Sequence, residues 1–317
     1  MDDPLFPDPR SGERPLGPSV TDPFPLPGAP LDVRRMLRNA GLRPRKSLGQ
    51  NFLVDEDALR RVANAAEIRP EDVVLEIGAG VGSLTRHLAA RARRVIAVEI
   101  DPLLISLLRA ALSSFPNVTL VQGDILALPV EDLVGNAAPG NYKVAANIPY
   151  YITSAIVRRL MESSVSPTLM VLTVQKEVAD RICAPPGKMS LLSLSVQYFG
   201  TPAIVGQIPA EAFYPVPKVD SAIVKVDLRN AAARNAGEAG RLFRVARAGF
   251  SQKRKMLRNT LSAGFALSPK DVESFLDRAG VDPKRRAETL AVDEWIKLTE
   301  VFPWAVIEKT STPGEAD

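Results

Sequence analysis

The stretch Val73-Val74-Leu75-Glu76-Ile77-Gly78-Ala79-Gly80-Val81-Gly82 constrains this chain more than any other. Its short run of β-branched and apolar residues suits a strand covered on both faces. Three glycines at alternate positions then strip the Cβ atoms from a tight turn, so a ligand can approach the main chain closely. A helix beginning near Ser83 turns its unpaired N–H groups and positive dipole end toward that turn. The pattern is not G-x-G-x-x-G, because Ser83 stands where the third glycine would be. An ordinary βα turn carries the same glycines, so the acids downstream decide between the two readings. A second strand, Arg94 to Val98, leads into Glu99, 21 residues after Gly78. A carboxylate at that place accepts from both hydroxyls of a ribose. A third strand, Val118 to Val121, leads through Gln122-Gly123 to Asp124, again at the carboxyl edge where a doubly wound sheet holds its ligand.

Lys143 to Ala146 reads as a fourth strand, and Asn147-Ile148-Pro149-Tyr150 follows it. This resembles the Asp/Asn-Pro-Pro-Tyr/Phe signature of enzymes that methylate exocyclic amino groups of bases. The chemistry explains the residue types. An adenine N6 is a poor nucleophile because its lone pair is delocalised into the ring. The Asn147 side-chain oxygen and the carbonyl before Pro149 are placed to accept its two hydrogens, which turns the lone pair toward the methyl group of S-adenosylmethionine. Pro149 pre-sets the turn and has no N–H to compete. Tyr150 offers a ring face on which a flipped base stacks. Alone, the motif is equally a buried turn with a packed tyrosine; in register with Gly78, Glu99 and Asp124 it is a site.

The chain's 317 residues suffice for two domains, and its 46% hydrophobic and 24% charged residues are ordinary for a globular protein. No apolar run reaches the length of a membrane span. The acidic, proline-rich N-terminus has no signal-peptide pattern, so a cytoplasmic protein is expected. The single cysteine, Cys183, excludes an internal disulfide, and the single histidine, His87, argues against a zinc site. His87 reads as a surface residue of the helix after the glycine turn.

Residues 1–30 hold nine prolines and three glycines and read as a disordered tail. A short helix, Leu31 to Ala40, precedes a basic loop, Arg43 to Leu53, whose charges suit phosphates and water equally. Asp55 is placed to cap a helix from Glu56 to Glu67. From Val73 to Val174 strands alternate with helices, which implies a parallel sheet covered on both faces. Two alternating apolar stretches, Ala203 to Ile208 and Ser221 to Leu228, suit an antiparallel hairpin at the sheet edge. The stiff loop between them, Phe213 to Lys218, reads either as a packed turn or as a mount for a ring against a base. Residues 31–229 are thus expected to form a Rossmann-like domain and residues 230–317 a small all-helical domain. A helix from Arg241 to Ala263 carries seven basic residues and no acid between Arg241 and Arg258. Its face of Arg244, Arg247, Arg254 or Lys255, and Arg258 suits RNA phosphates, since solvated helices normally mix both signs.

In combination, Leu48-Gly49-Gln50-Asn51-Phe52-Leu53, Glu76 to Gly82, Glu99, Gly123-Asp124, Asn147 to Tyr151 and Phe213 to Ser221 resemble the KsgA/RsmA family of ribosomal RNA adenine dimethyltransferases. The resemblance runs from about Arg45 to Leu261. It implies an α/β class I, Rossmann-like methyltransferase with a helical C-terminal domain. It implies S-adenosylmethionine held by Asn51, Leu53, Gly78, Glu99, Asp124 and Asn147. It implies Asn147, Pro149, Tyr150 and Phe213 around the target base, with Phe213 stacking on its second face. Its implied substrate is a pair of adjacent adenosines in a hairpin loop near the 3′ end of 16S rRNA, in the small ribosomal subunit or its precursor. A monomer without a metal is expected. An Erm-type enzyme of large-subunit RNA, a DNA adenine methyltransferase and a non-catalytic assembly factor are the alternatives, the first opposed by the Leu48 to Leu53 and Phe213 to Ser221 patterns.

Overall fold

The computed structural model describes residues 30–135, 142–148, 152–161, 163–229 and 236–304. The proposed tail lies outside them, except for Pro30. The strands are β1 (Phe52–Leu53), β2 (Val73–Ile77), β3 (Arg94–Glu99), β4 (Val118–Gln122), β5 (Tyr142–Asn147), β6 (Leu169–Gln175), β7 (Thr201–Ile208), β8 (Phe213–Tyr214) and β9 (Ser221–Asp227). The helices are α1 (Val33–Asn39), α2 (Glu56–Ala65), α3 (Ser83–Ala89), α4 (Ile105–Ala111), α5 (Val130–Val134) and α6 (Thr153–Met161), followed by α7 (Lys176–Ile182), α8 (Leu191–Phe199), α9 (Ala236–Gly249), α10 (Leu257–Phe265), α11 (Pro269–Arg278) and α12 (Val292–Val301).

Seven strands form one sheet in the order β4-β3-β2-β5-β6-β9-β7. The first five run parallel; β9 is antiparallel to both β6 and β7. Every residue of β2 is buried. Val73, Leu75 and Ile77 face one apolar cluster and Val74 faces the other, the period of two that a strand between two layers requires. The strand order reverses between β2 and β5, and an open sheet of this kind holds its ligand beyond the carboxyl ends of those strands. The expected hairpin is present as β7 and β9. A bulge between Ile204 and Gly206 marks the exposed edge strand β7. Asp55 caps α2 as expected, its Oδ1 accepting from the Ala58 N–H at 2.7 Å.

Two expectations are corrected. The basic helix is not continuous. α9 stops at Gly249, residues 250–256 form a turn, and α10 begins at Leu257. A Cβ on Gly249 would stand 2.5 Å from the Trp295 ring, so the bare glycine lets α12 press against the end of α9. The Leu257 N–H is taken by the Arg285 carbonyl at 2.7 Å instead of by the preceding turn. Nor is His87 on the surface. It lies on α3 as expected, but only 2% exposed, with Nε2 3.0 Å from Glu56 Oε2 on α2. Burial lowers its pKa, against the pull of the Glu56 carboxylate.

The C-terminal helices share a core with the sheet. Phe243 of α9 packs edge-on to Tyr198 and tilted against Phe199 of α8, inside the same cluster that holds Leu75, Met170 and Trp295. Among the described residues no helix is long and apolar enough to cross a membrane.

Candidate active site

Gly78, Gly80 and Gly82 all have positive φ, +76°, +62° and +92°, the backbone that only glycine adopts without strain. The turn they form meets β3. The Gly78 N–H donates to the Val98 carbonyl at 2.9 Å, and the Gly80 N–H donates to Glu99 Oε2 at 2.7 Å. The Asp101 N–H donates to Glu99 Oε1 at 2.8 Å. Glu99 is therefore buried and oriented at the end of β3, with further lone pairs on each oxygen for a ligand. Burial raises its pKa, while the N–H groups of Asp101 and Gly80 pull it back.

Asn147 ends β5 beside the turn; a Cβ on Gly78 would stand 3.6 Å from the Asn147 carbonyl oxygen. The Asn147 Nδ2 donates to the Asn51 carbonyl at 3.0 Å. A main-chain carbonyl only accepts, so the amide nitrogen must face it and Oδ1 must face away. Asn147 is thus held as an oriented acceptor. Leu48, Gly49, Gln50, Asn51 and Phe52 form one wall of a solvent-open cleft, and Gly78, Gly80, Glu99, Ile100, Asn147 and Ile148 line the rest with Leu104.

Of the expected cofactor ligands, Asn51, Gly78, Glu99 and Asn147 meet at this cleft. Asp124 lies past the end of β4, exposed, its Oδ1 accepting from the Leu126 N–H at 2.9 Å; it does not line the cleft. The Leu53 side chain is buried in the core against α2, so only its main chain is available to a ligand. Pro149 and Tyr150 lie outside the described residues.

Phe213 is the clearest departure. Its ring is wholly buried, in the cluster of Leu53, Leu59, Val62, Ile208 and Ile223. β8 pairs antiparallel with β1, Phe213 opposite Leu53. The loop therefore does not mount a ring for a base in this arrangement; the ring anchors β1, and with it Asn51, to the sheet.

Two groups escape sequence reasoning. Asp101, two residues past Glu99, holds Arg45 and Gln50 at the edge of the cleft. Glu76, in the middle of β2, is 1% exposed, with the Thr85 hydroxyl as its polar neighbour. Burial pushes the Glu76 carboxyl up to about 8; the Thr85 hydroxyl pulls it back, and the Glu99 charge adds to the rise. An acid within an otherwise apolar strand is the one sequence signal for it.

The basic residues divide. Arg247, Arg254 and Lys255 are exposed. Arg244 lies over the rings of Phe265 and Trp304, 5.7 and 5.9 Å from their centroids, and Arg258 pairs with Glu273. The last two thus also make contacts within the protein.

The sheet order, the glycine turn against an acid-ended β3, and the oriented amide ending β5 define a class I methyltransferase. A model of the ribosomal RNA adenine dimethylase family matches residues 41–303. A Dehalococcoides mccartyi protein named ribosomal RNA small subunit methyltransferase A is 44% identical over 276 residues, covering 87% of this chain and 94% of its own. The Moorella thermoacetica protein of that name is 44% identical over 276 residues, covering 84% and 95%. The crystal structure of the 23S rRNA methyltransferase ErmE matches with a TM-score of 0.62 at 32% identity, covering 79% of this chain and 99% of that one. A dimethyladenosine transferase from Plasmodium falciparum matches with a TM-score of 0.66 at 27% identity, covering 78% and 95%. The chain belongs to the ribosomal RNA adenine dimethylase family.

Proposed function

We propose that this protein transfers methyl groups from S-adenosylmethionine to N6 of two adjacent adenosines near the 3′ end of 16S rRNA, within the small ribosomal subunit or its precursor, as a step in subunit biogenesis. The observation that carries the reading is the Asn147 amide, its nitrogen committed to Asn51 and its oxygen free to accept. The small subunit is favoured over the large one by relatives at 44% identity whose names specify it, against 32% for ErmE.

The residues fit the cofactor. The glycine turn leaves main chain bare beside Asn147, and Glu99 retains acceptor capacity for a ribose diol. Asn51 and Gly78 line the same cleft. Asp124 is the proposed acceptor for the cofactor's adenine amine. S-adenosylmethionine, when bound, supplies an electrophilic methyl group.

The protein's part is orientation. Asn147 Oδ1 and the Ile148 carbonyl accept the two N6 hydrogens and draw the lone pair out of conjugation. As N6 gains positive charge in the transition state, both acceptors strengthen, which is where catalysis by preorganised dipoles arises. The proton leaves only after nitrogen has become cationic, so a strong base is unnecessary. A second transfer needs the same acceptors to hold a singly methylated amine through its remaining hydrogen. Arg247, Arg254 and Lys255 are the proposed phosphate contacts.

The test is to incubate purified small and large subunits lacking the modification with labelled cofactor and to identify the product by mass spectrometry. Dimethylated adenosine in 16S RNA is expected. Label confined to large-subunit RNA, or no transfer, would overturn the reading.

A further inference from the structure

One buried acid at the cleft edge takes no part in the methyl transfer itself. The Asp101 side chain is 2% exposed, yet it follows a strand end where acids are ordinarily solvated. A buried carboxylate is tolerated only when its oxygens are filled. Arg45 Nη1 donates to Oδ1 at 3.1 Å, Gln50 Nε2 donates to Oδ2 at 2.8 Å, and the Leu103 N–H donates to Oδ1 at 3.1 Å. Gln50 in turn accepts from the Arg45 N–H at 2.8 Å, closing a ring through the segment itself. Gly49, at φ +62°, turns the chain between them.

This segment, Arg45 to Asn51, carries the cleft-lining residues Leu48 to Asn51. It is fastened at two ends. Asp101 holds one end, beside Glu99; Asn147 holds the other through the Asn51 carbonyl. The main-chain amide of Asp101 also binds Glu99 Oε1. One residue therefore grips this segment with its side chain and Glu99 with its backbone.

We propose that Asp101 is a positioning residue for cofactor residence: its carboxylate fastens the Arg45 to Asn51 wall of the cleft while its amide aligns Glu99. The inference rests on the cofactor assignment proposed above. Its consequence is kinetic. The wall lies against the bound cofactor, so weakening its fastening loses contacts made in the complex and shows chiefly in the rate of release.

The experiment measures labelled S-adenosylmethionine release by pulse-chase filtration, with calorimetry for affinity and without RNA. Asp101→Ala is expected to release cofactor at least about tenfold faster, with association within about threefold of the parent. Asp101→Asn keeps an oxygen for Gln50 and loses the charge facing Arg45, so it should fall between the two. Arg45→Ala should have a smaller effect than Asp101→Ala, because Arg45 is 47% exposed and its pairing is screened. Adding Arg45→Ala to Asp101→Ala should change nothing more, the sign of a shared interaction. In turnover, KM for cofactor should rise while kcat at saturation holds. Should Asp101→Ala not fold, Gln50→Ala removes one donor and leaves the carboxylate two others; its release rate then decides. A folded variant whose release stays within about twofold of the parent overturns the proposal. A parent protein that binds no S-adenosylmethionine overturns the cofactor assignment instead, so the two failures are distinct.

Discussion

Replacing Asn147 by alanine should leave the cofactor site largely built and stop the chemistry. The change deletes one part-buried hydrogen bond, Nδ2 to the Asn51 carbonyl at 3.0 Å. Such a bond contributes about 1 kcal/mol, so stability and cofactor affinity should each fall by about fivefold or less in equilibrium terms. The loss in the transition state is larger. In the proposed reaction Oδ1 faces a nitrogen that gains positive charge, and removing one preorganised partner of developing charge typically costs about 2.7–4 kcal/mol, or about 10²–10³ in rate. Asn147→Asp sharpens the contrast. It keeps an oxygen toward the substrate but turns a second one on the Asn51 carbonyl, so the wall should loosen while some transfer survives. The assay is single-turnover methylation of small subunits at saturating cofactor, beside calorimetry and a thermal melt. If a folded Asn147→Ala protein transferred methyl groups at the parental rate, the oriented-acceptor mechanism would be refuted.

Phe213→Ala should destabilise the protein by about 3–5 kcal/mol, as expected for a wholly buried ring, and Phe213→Tyr by about 1–3 kcal/mol because the added hydroxyl meets an apolar cluster; denaturant melts check both, and a neutral tyrosine would mean the ring opens to the surface. Glu76 should make stability pH-dependent. Its carboxyl ionises near 4.5 when unfolded and near 8 when folded, so the folded state holds the extra proton and stability falls as pH rises through that window. Glu76→Gln should therefore gain on the parent, on the order of a few kcal/mol, between about pH 5 and about pH 8.5, and an equal change in melting temperature at both would exclude the buried acid as the cause. Neutralising Arg247, Arg254 and Lys255 should flatten the salt dependence of small-subunit binding, by about 0.7–0.9 in log–log slope for each phosphate that no longer meets a cation. Arg244→Ala should instead lower the melting temperature, since Arg244 lies on Phe265 and Trp304; an unchanged slope in the triple variant would mean the turn is merely solvated.

Much of the sheet was legible because its signals are local. β2 is an unbroken apolar run, and its glycines, the acid ending β3 and the asparagine ending β5 sit at strand ends whose position follows from period and turn chemistry alone. The β7–β9 hairpin was readable from its alternation. The pairing of β1 with β8 was not, since two residues per strand carry no period. That pairing is what put the Phe213 ring inside, where the family resemblance had favoured a ring mounted against the base.

Local pattern was enough for the α/β class, the cleft at the ends of β2, β3 and β5, and the chemical character of Glu99 and Asn147. Tertiary structure alone decided which groups those residues would meet. Asp101 finds Arg45 across 56 positions, and Asn147 finds Asn51 across 96. Trp295 packs against Gly249 where α9 stops, so Arg247 lies on α9 and Arg254 in the turn after it. The reason is physical: helix and turn energies depend on neighbours a few positions away, whereas a buried charge or an amide takes its orientation from whichever distant partner the packed core brings within about 3 Å.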